Sequence, residues 1–387
     1  MMRTLKLAVI AGEVSGDILG GDLVAALRRS GRDVELIGVG GDRLQGEGLK
    51  SLFDFSELSV MGIADVLAKL PSLIRRIRQT AEAIIAARPD ALLIIDSPDF
   101  THRVARRVRK ALPDLPVIQY VCPSVWAWKE YRAQAMLDYV DLVLAVLPFE
   151  PVVMQRLGGP KTIYVGHRLA ADPDILRVRA ARQAREPAAA PTILLLPGSR
   201  SSEIKRLTDV MGEAVSEIKA RHPDARFLLP AVARQEAFIR QKISTWTVQP
   251  ECATGDAFKW EAFAKADAAI AASGTVILEL AMAGVPAVSI YRTDPIIKFL
   301  ASRIKVWTAA LPNLIADYPV IPEYINELLR PGAPVRWVDR LMTDTPQRAA
   351  MLAGYADVWS RMNVEKPSGE LAAEALLSLL VGRPSRP

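Results

Sequence analysis

The stretch Leu7-Ala8-Val9-Ile10-Ala11-Gly12-Glu13-Val14-Ser15-Gly16-Asp17 decides how the rest of the chain is read. Five apolar residues in a row give a strand buried on both faces. Two glycines then allow a tight turn, and a helix is expected to open near Asp17. A buried strand running straight into a helix is the first half of a βαβ unit, and it predicts a parallel sheet. The same alternation recurs outward from this stretch. Further strands are expected at 34–39, 91–95, 117–121 and 142–146, with helices starting near Asp17, Glu57, Ser72, Phe100 and Tyr131. A second series predicts strands at 192–196, 226–229, 268–271 and 287–291, and helices at 203–221, 275–283 and 345–362. Thr345 is a natural N-cap with Pro346 at the first helical position. Residues 369–381 have the spacing of one more amphipathic helix. The expected organisation is α/β, with two doubly wound domains at 1–170 and 192–345. A linker rich in Ala, Arg and Pro is expected at 171–191, and C-terminal helices at 346–387 pack back toward the first domain.

Composition narrows the classes. The 387 residues suffice for two or three domains at about 100–200 residues each. With 50% hydrophobic and 24% charged residues, a disordered or low-complexity chain is excluded. Cys122 and Cys252 lie far apart with no Cys or His at ligand spacing, so neither a disulfide framework nor a structural zinc site is expected. That usage suits a reducing, cytoplasmic compartment. No apolar run reaches the roughly 18 residues of a spanning helix. The basic start Met1-Met2-Arg3 is followed by too short an apolar stretch for a signal peptide. A net charge of +6 favours anionic partners: nucleotides, phospholipid surfaces or nucleic acid.

In doubly wound sheets ligands bind beyond the carboxyl ends of the strands, so the loops there carry the chemistry. Neither the Gly12/Gly16 loop nor Gly38-Val39-Gly40-Gly41 forms G-x-G-x-x-G, and no P-loop pattern occurs. Both loops read equally well as ordinary βα turns. Strand 91–95 runs into Asp96-Ser97-Pro98-Asp99-Phe100. A carboxylate at that place suits a general base, or a turn; Asp99 suits the N-cap of the basic helix that follows. In Pro123-Ser124-Val125-Trp126-Ala127-Trp128, the two tryptophans suit stacking on a sugar, covering an acyl chain or packing in the core.

In the second half, Pro197-Gly198-Ser199-Arg200-Ser201-Ser202-Glu203 brings a glycine, small hydroxyls and an arginine fork to a helix start, which suits a pyrophosphate. Ser273-Gly274-Thr275 provides a second such start, with Glu279 one turn on and placed for ribose hydroxyls. Together they suit a nucleoside diphosphate; the plain alternative is two capped helices without a ligand. Asp172-Pro173-Asp174 matches the D-x-D metal motif of some glycosyltransferases but falls in the expected linker. His102, His167 and His222 are scattered, so no metal site is expected, and His167 suits a cleft or a structural place alike. An apolar segment over 53–77 is rimmed by Arg75, Arg76 and Arg78, and a later helix adds Arg103, Arg106, Arg107, Arg109 and Lys110. That pattern suits docking on anionic lipid, or a buried helix pair with a solvated basic face. Nucleic acid is the weaker reading, since no aromatics interleave with the basic cluster.

These motifs resemble those of the lipid-A-disaccharide synthases, inverting glycosyltransferases of lipopolysaccharide assembly. The matching pieces are AGEVSGD at 11–17, VMGI at 60–63, IDSPDF at 95–100, PSVWAW at 123–128, LPFE at 147–150, LPGSR at 196–200, ASGT at 272–275 and LPNL at 311–314. They keep the family's order over about residues 7–330. Cys122 stands where a serine is common, and 315–320 departs from the usual composition. The resemblance implies a GT-B fold: two Rossmann-like domains facing a cleft, with the C-terminal helix crossing back to the first. It also implies a reaction of UDP-2,3-diacylglucosamine with 2,3-diacylglucosamine 1-phosphate (lipid X), giving the β-1,6-linked disaccharide 1-phosphate and UDP without a cofactor or metal. By the same resemblance Asp96 is the general base, and Arg200, Ser199, Ser273, Gly274 and Thr275 stabilise the leaving diphosphate. Glu279 holds the ribose and Asn313 donates to nucleotide or phosphate; Glu13, Ser15, Asp17, Ser124 and Trp126 shape the acceptor side. Val60, Met61, Val66 and Leu67 meet lipid at the cytoplasmic face of the inner membrane. The competing expectations are a UDP-sugar 2-epimerase on the same fold and a non-catalytic binding protein on a degenerate transferase scaffold.

Overall fold

The computed structural model describes residues 3–58, 63–185, 190–293 and 304–381, without the side chains of 63–69. The chain divides into two units: residues 1–168 with 364–387, and residues 169–363.

The first unit holds a six-stranded sheet of β1 (Leu5–Ala11), β2 (Val34–Val39), β3 (Ala91–Ile95), β4 (Val117–Tyr120), β5 (Leu142–Ala145) and β6 (Lys161–Tyr164). Its order is β2-β1-β3-β4-β5-β6, parallel throughout. Every residue of β3, β4 and β5 is buried, which is why β3 and β5 read as unbroken apolar runs, whereas β4 also buries the polar Gln119. The order reverses at β1: the chain leaves it toward β2, then returns to its other side as β3. The carboxyl ends of β1 and β3 therefore flank the switch point of this sheet, where an open α/β sheet offers its ligand crevice.

The second unit repeats the plan with β7 (Thr192–Leu196), β8 (Arg226–Ala231), β9 (Glu251–Thr254), β10 (Ala268–Ala272), β11 (Ala287–Tyr291) and β12 (Glu323–Ile325). The order β12-β11-β10-β7-β8-β9 is that of a dinucleotide-binding sheet, with its switch point between β7 and β10.

Three strands were not expected from sequence: β6, β9 and β12. Each is a sheet edge of three or four residues, mostly half-exposed, so no apolar run marks it. The starts near Glu57 and Ser72 resolve into a 3₁₀ turn, Phe55–Leu58, and one helix, Ile63–Ala87, that continues through Pro71.

The expected linker is also different. Asp172 caps a helix over Pro173–Gln183 by accepting from the backbone N–H of Asp174. Arg182 on that helix donates to the carbonyls of Phe263, Ala266 and Gly284, tying it to the second unit. Half of the D-x-D pair is thus spent as a helix cap. Of the two C-terminal helices, only Ser368–Val381 returns to the first unit. There Gly369 lies so close to Asp22 that a Cβ would stand 2.8 Å from its carbonyl oxygen. The preceding helix, Pro346–Met362, belongs to the second unit, where Gly354 packs against Val320.

Candidate active site

The turn after β1 and the turn after β3 meet at the first switch point. Gly12 must be glycine, because a Cβ there would lie 2.2 Å from the Ser97 Cβ. Asp96 and Ser97 adopt left-handed backbone, φ 51° and 43°, a conformation that costs non-glycine residues about 1–3 kcal/mol each. Thr101 repays part of this by donating its hydroxyl to the carbonyls of Asp96 (2.8 Å) and Ser97 (3.1 Å). The result projects the Asp96 carboxyl from the strand end beside the start of helix Val14–Arg29, and the Ser15 hydroxyl lies 3.4 Å from its Oδ2. Burial first, and the Glu13 carboxylate second, push the Asp96 carboxyl up to about 6, against the Ser15 hydrogen bond. Asp99 is different: its side chain is 88% exposed and lies 3.6 Å from Arg132. It is not the N-cap expected; Ser97 holds that position and Asp99 sits in the first turn of helix Pro98–Ala111.

Other acceptor-side expectations divide. Glu13 and Ser15 are exposed beside Asp96. Asp17 is instead buried and accepts from the backbone N–H groups of Gly41, Arg43 and Leu44, capping helix Asp42–Gly46. Its oxygens are committed to the fold. Ser124 is exposed. Trp126 is half-buried, donates its indole N–H to Glu150 Oε1 at 3.2 Å and meets Phe149 edge to face. Trp128 is the exposed member of the pair, with the Lys129 ammonium 4.0 Å from its ring centroid.

Glu150 was not singled out as a site residue, although it closes the LPFE motif. It is 2% exposed and takes N–H bonds from Val146, Leu147 and Trp126. Burial outweighs those bonds and pushes its carboxyl up to about 8, with Asp96 adding to the shift. Only an acidic residue three positions past Leu147, ahead of Val152 and Val153, hinted at a cap there. His167 lies in this unit too, and burial holds its imidazole down at about 4.

At the second switch point, β7 ends in a turn where Gly198 takes φ 108°. Helix Ser201–Arg221 follows, with Arg200 at its N-cap. The Glu203 carboxylate accepts from the backbone N–H groups of Ser199 (3.2 Å) and Arg200 (3.3 Å), and its other oxygen pairs with the Arg200 guanidinium at 2.9 Å. Two of the donors expected for a phosphate are therefore held by a carboxylate. Arg200 keeps a side chain that is 65% exposed. Across the switch point, Gly274 takes φ 151° and Thr275 opens helix Thr275–Ala283, both exposed. Glu279 pairs with Lys259 at 2.7 Å, a cation that sequence reading missed because it sits on another helix, Asp256–Lys265.

Asn313, expected to donate to nucleotide or phosphate, has its side chain engaged within its own loop. It is 2% exposed; its amide donates to Thr308 Oγ1 and the Ile321 carbonyl, and its oxygen accepts from the N–H groups of Val320 and Ile321. The LPNL asparagine thus folds its own loop. Val60 and Met61 lie outside the described residues, as do the side chains of Val66 and Leu67. Further along the same helix, Leu70 and Ile74 are exposed beside Arg75 and Arg78. No helix among the described residues is long and apolar enough to cross a membrane.

Two parallel doubly wound sheets, each carrying polar loops at its switch point, define a protein of the GT-B fold class. Solved structures agree on the fold. A glycosyltransferase from Rickettsia africae ESF-5 matches with a TM-score of 0.56 at 16% identity, covering 98% of each chain. UDP-GlcNAc 2-epimerase from Neisseria meningitidis, bound to UDP-GlcNAc, matches with a TM-score of 0.59 at 13% identity, covering 98% of this chain and 100% of that one. The profile of the lipid-A-disaccharide synthetase family matches residues 7–332. The lipid-A-disaccharide synthase of Nitrobacter winogradskyi is 45% identical over 378 residues, 97% of this chain and 96% of that protein. The chain belongs to the lipid-A-disaccharide synthetase family, the glycosyltransferases of lipid A biosynthesis.

Proposed function

We propose that the protein joins UDP-2,3-diacylglucosamine to 2,3-diacylglucosamine 1-phosphate (lipid X), giving the β-1,6-linked disaccharide 1-phosphate and UDP with inversion at the donor's anomeric carbon. The observation that carries this reading is Asp96, a carboxyl in a left-handed turn at a sheet switch point with its pKa pushed up to about 6. A carboxylate tuned toward neutrality is the kind that takes a proton efficiently. Asp96 removes the proton of the acceptor's 6-hydroxyl while that oxygen attacks the anomeric carbon; the bond from that carbon to the diphosphate breaks, and UDP carries the electron pair away. One base suffices for single displacement, and no covalent intermediate forms.

The exposed Arg200 fork, with Ser199, Ser273 and the helix start at Gly274-Thr275, takes the developing charge on the diphosphate. Glu279 faces the ribose, and Glu13, Ser15 and Ser124 shape the acceptor side. The exposed Leu70 and Ile74, beside Arg75 and Arg78, offer an apolar and basic face to the anionic cytoplasmic face of the inner membrane.

The test is a turnover assay in detergent with both lipid substrates and EDTA. UDP release that depends on lipid X and survives EDTA is the expected result. Epimerisation of UDP-N-acetylglucosamine, with no UDP release from the lipid pair, would overturn the reading in favour of a 2-epimerase.

A further inference from the structure

Beneath the Asp96 turn lies a buried polar chain that no part of the reaction uses directly. Val121, the residue after β4, has φ 69°, a strained conformation for a β-branched side chain. Its carbonyl and that of Tyr120 both accept from the Gln119 side-chain amide, at 2.9 and 3.0 Å. The Tyr120 carbonyl also accepts the backbone N–H of Asp96, at 3.4 Å. On its other side Gln119 Oε1 lies 3.0 Å from His102 Nε2, and His102 Nδ1 lies 3.0 Å from the Tyr139 hydroxyl. Gln119, His102 and Tyr139 are all buried.

The direction of this chain follows from donor arithmetic. Two carbonyls can only accept, so the Gln119 NH₂ must face them and Oε1 must face the histidine. His102 Nε2 therefore carries the proton, Nδ1 is bare, and Tyr139 donates to it. Burial holds the imidazole down at about 4, so a single neutral tautomer prevails at neutral pH. The Arg106 guanidinium stacks over the Tyr139 ring, 4.7 Å from its centroid, and closes the outer end. With Thr101 holding the Asp96 carbonyl from one side and the Gln119 relay fixing the acceptor of its N–H on the other, the Asp96 backbone is clamped at both ends.

We propose that Gln119, oriented by His102 and Tyr139, is a positioning residue for transfer: it fixes the Tyr120–Val121 backbone from which the Asp96 turn hangs and so aims the Asp96 carboxyl. This rests on the reading of Asp96 as the base. The effect is geometric, of the kind in which a small misplacement of a reacting group costs rate rather than affinity.

The test is a kinetic double-mutant cycle on the full chain with Asp96→Asn and Gln119→Leu. Gln119→Leu lowers kcat by about 10–100-fold and leaves the KM for the UDP-sugar unchanged. Placed on top of Asp96→Asn it costs little more, because it acts through Asp96. A Gln119→Leu protein with wild-type kcat, or losses that multiply in the double variant, would overturn the positioning role while leaving the base assignment intact. Turnover retained by Asp96→Asn alone would instead overturn the base assignment. Should Gln119→Leu fail to fold, Tyr139→Phe keeps the ring and removes only the terminal donor; it lowers kcat about threefold at unchanged KM, and an unchanged kcat would count against the relay.

Discussion

At the scale of single residues, Asp96 shows how a site is made from a cost. Its left-handed backbone is unfavourable, and its carboxyl is displaced from 3.8 to about 6 by burial and by Glu13. The sign follows directly. The folded chain keeps a proton that the unfolded chain loses across that window, so ionising Asp96 lowers stability as pH rises from about 4 to 6. With Asp96 in the proposed role, activity runs the other way, since a base works only when deprotonated. The kcat/KM of the acceptor should therefore rise about tenfold per pH unit below pH 6 and level off above it. A profile flat from pH 5 to 7.5 would count against Asp96 as the group that titrates. Two residues expected at the site make the fold's own hydrogen bonds, and they share one physical cause. Asp17 and Asn313 are polar residues in loops after strands, where ligand contacts and helix caps have the same composition. Only geometry separates them: Asp17 caps a short helix with both oxygens, and the Asn313 amide is spent inside its own loop. Glu150 was missed for the converse reason: its local pattern is that of a helix start, and nothing in it marks the burial.

At the scale of elements, the central strands were legible because burial on both faces writes itself as apolar runs. The edge strands Lys161–Tyr164, Glu251–Thr254 and Glu323–Ile325 were not, since they bury little. The helix Pro173–Gln183 was hidden by its Arg content: Arg182 and Arg179 satisfy backbone carbonyls of the second unit, while Arg177 faces water beside Asp174. The helix Ile63–Ala87 presents the opposite case. Its exposed Leu70 and Ile74 stand beside Arg75 and Arg78, and Arg103, Arg106, Arg107 and Lys110 are exposed on the helix packed against it. Such a face should bind vesicles containing anionic phospholipid and release them at high salt, because surface attraction falls off within about one Debye length. Substituting Leu70 and Ile74 with Ser should weaken co-sedimentation with those vesicles. Binding that is equal on neutral vesicles and insensitive to salt would contradict a docking face of this kind.

At the scale of the whole molecule, the division of labour follows from the sheet topology. Each unit reverses its strand order once, between β1 and β3 in the first and between β7 and β10 in the second. Both reversals carry the loops whose composition pointed to chemistry. The sequence alone placed chemistry in loops after strands; which of those loops flank a reversal follows only from the strand order. In the proposed mechanism proton transfer falls to the first unit and nucleotide binding to the second, so the two properties should separate cleanly on substitution. The most direct measurement is UDP affinity and turnover side by side for Asp96→Asn and Asp99→Asn, in folded protein. Asp96→Asn should lose about 10²–10⁴-fold in turnover while binding UDP as the wild type does, and Asp99→Asn should stay near wild type in both. Turnover abolished by Asp99→Asn and retained by Asp96→Asn would contradict the account at its centre.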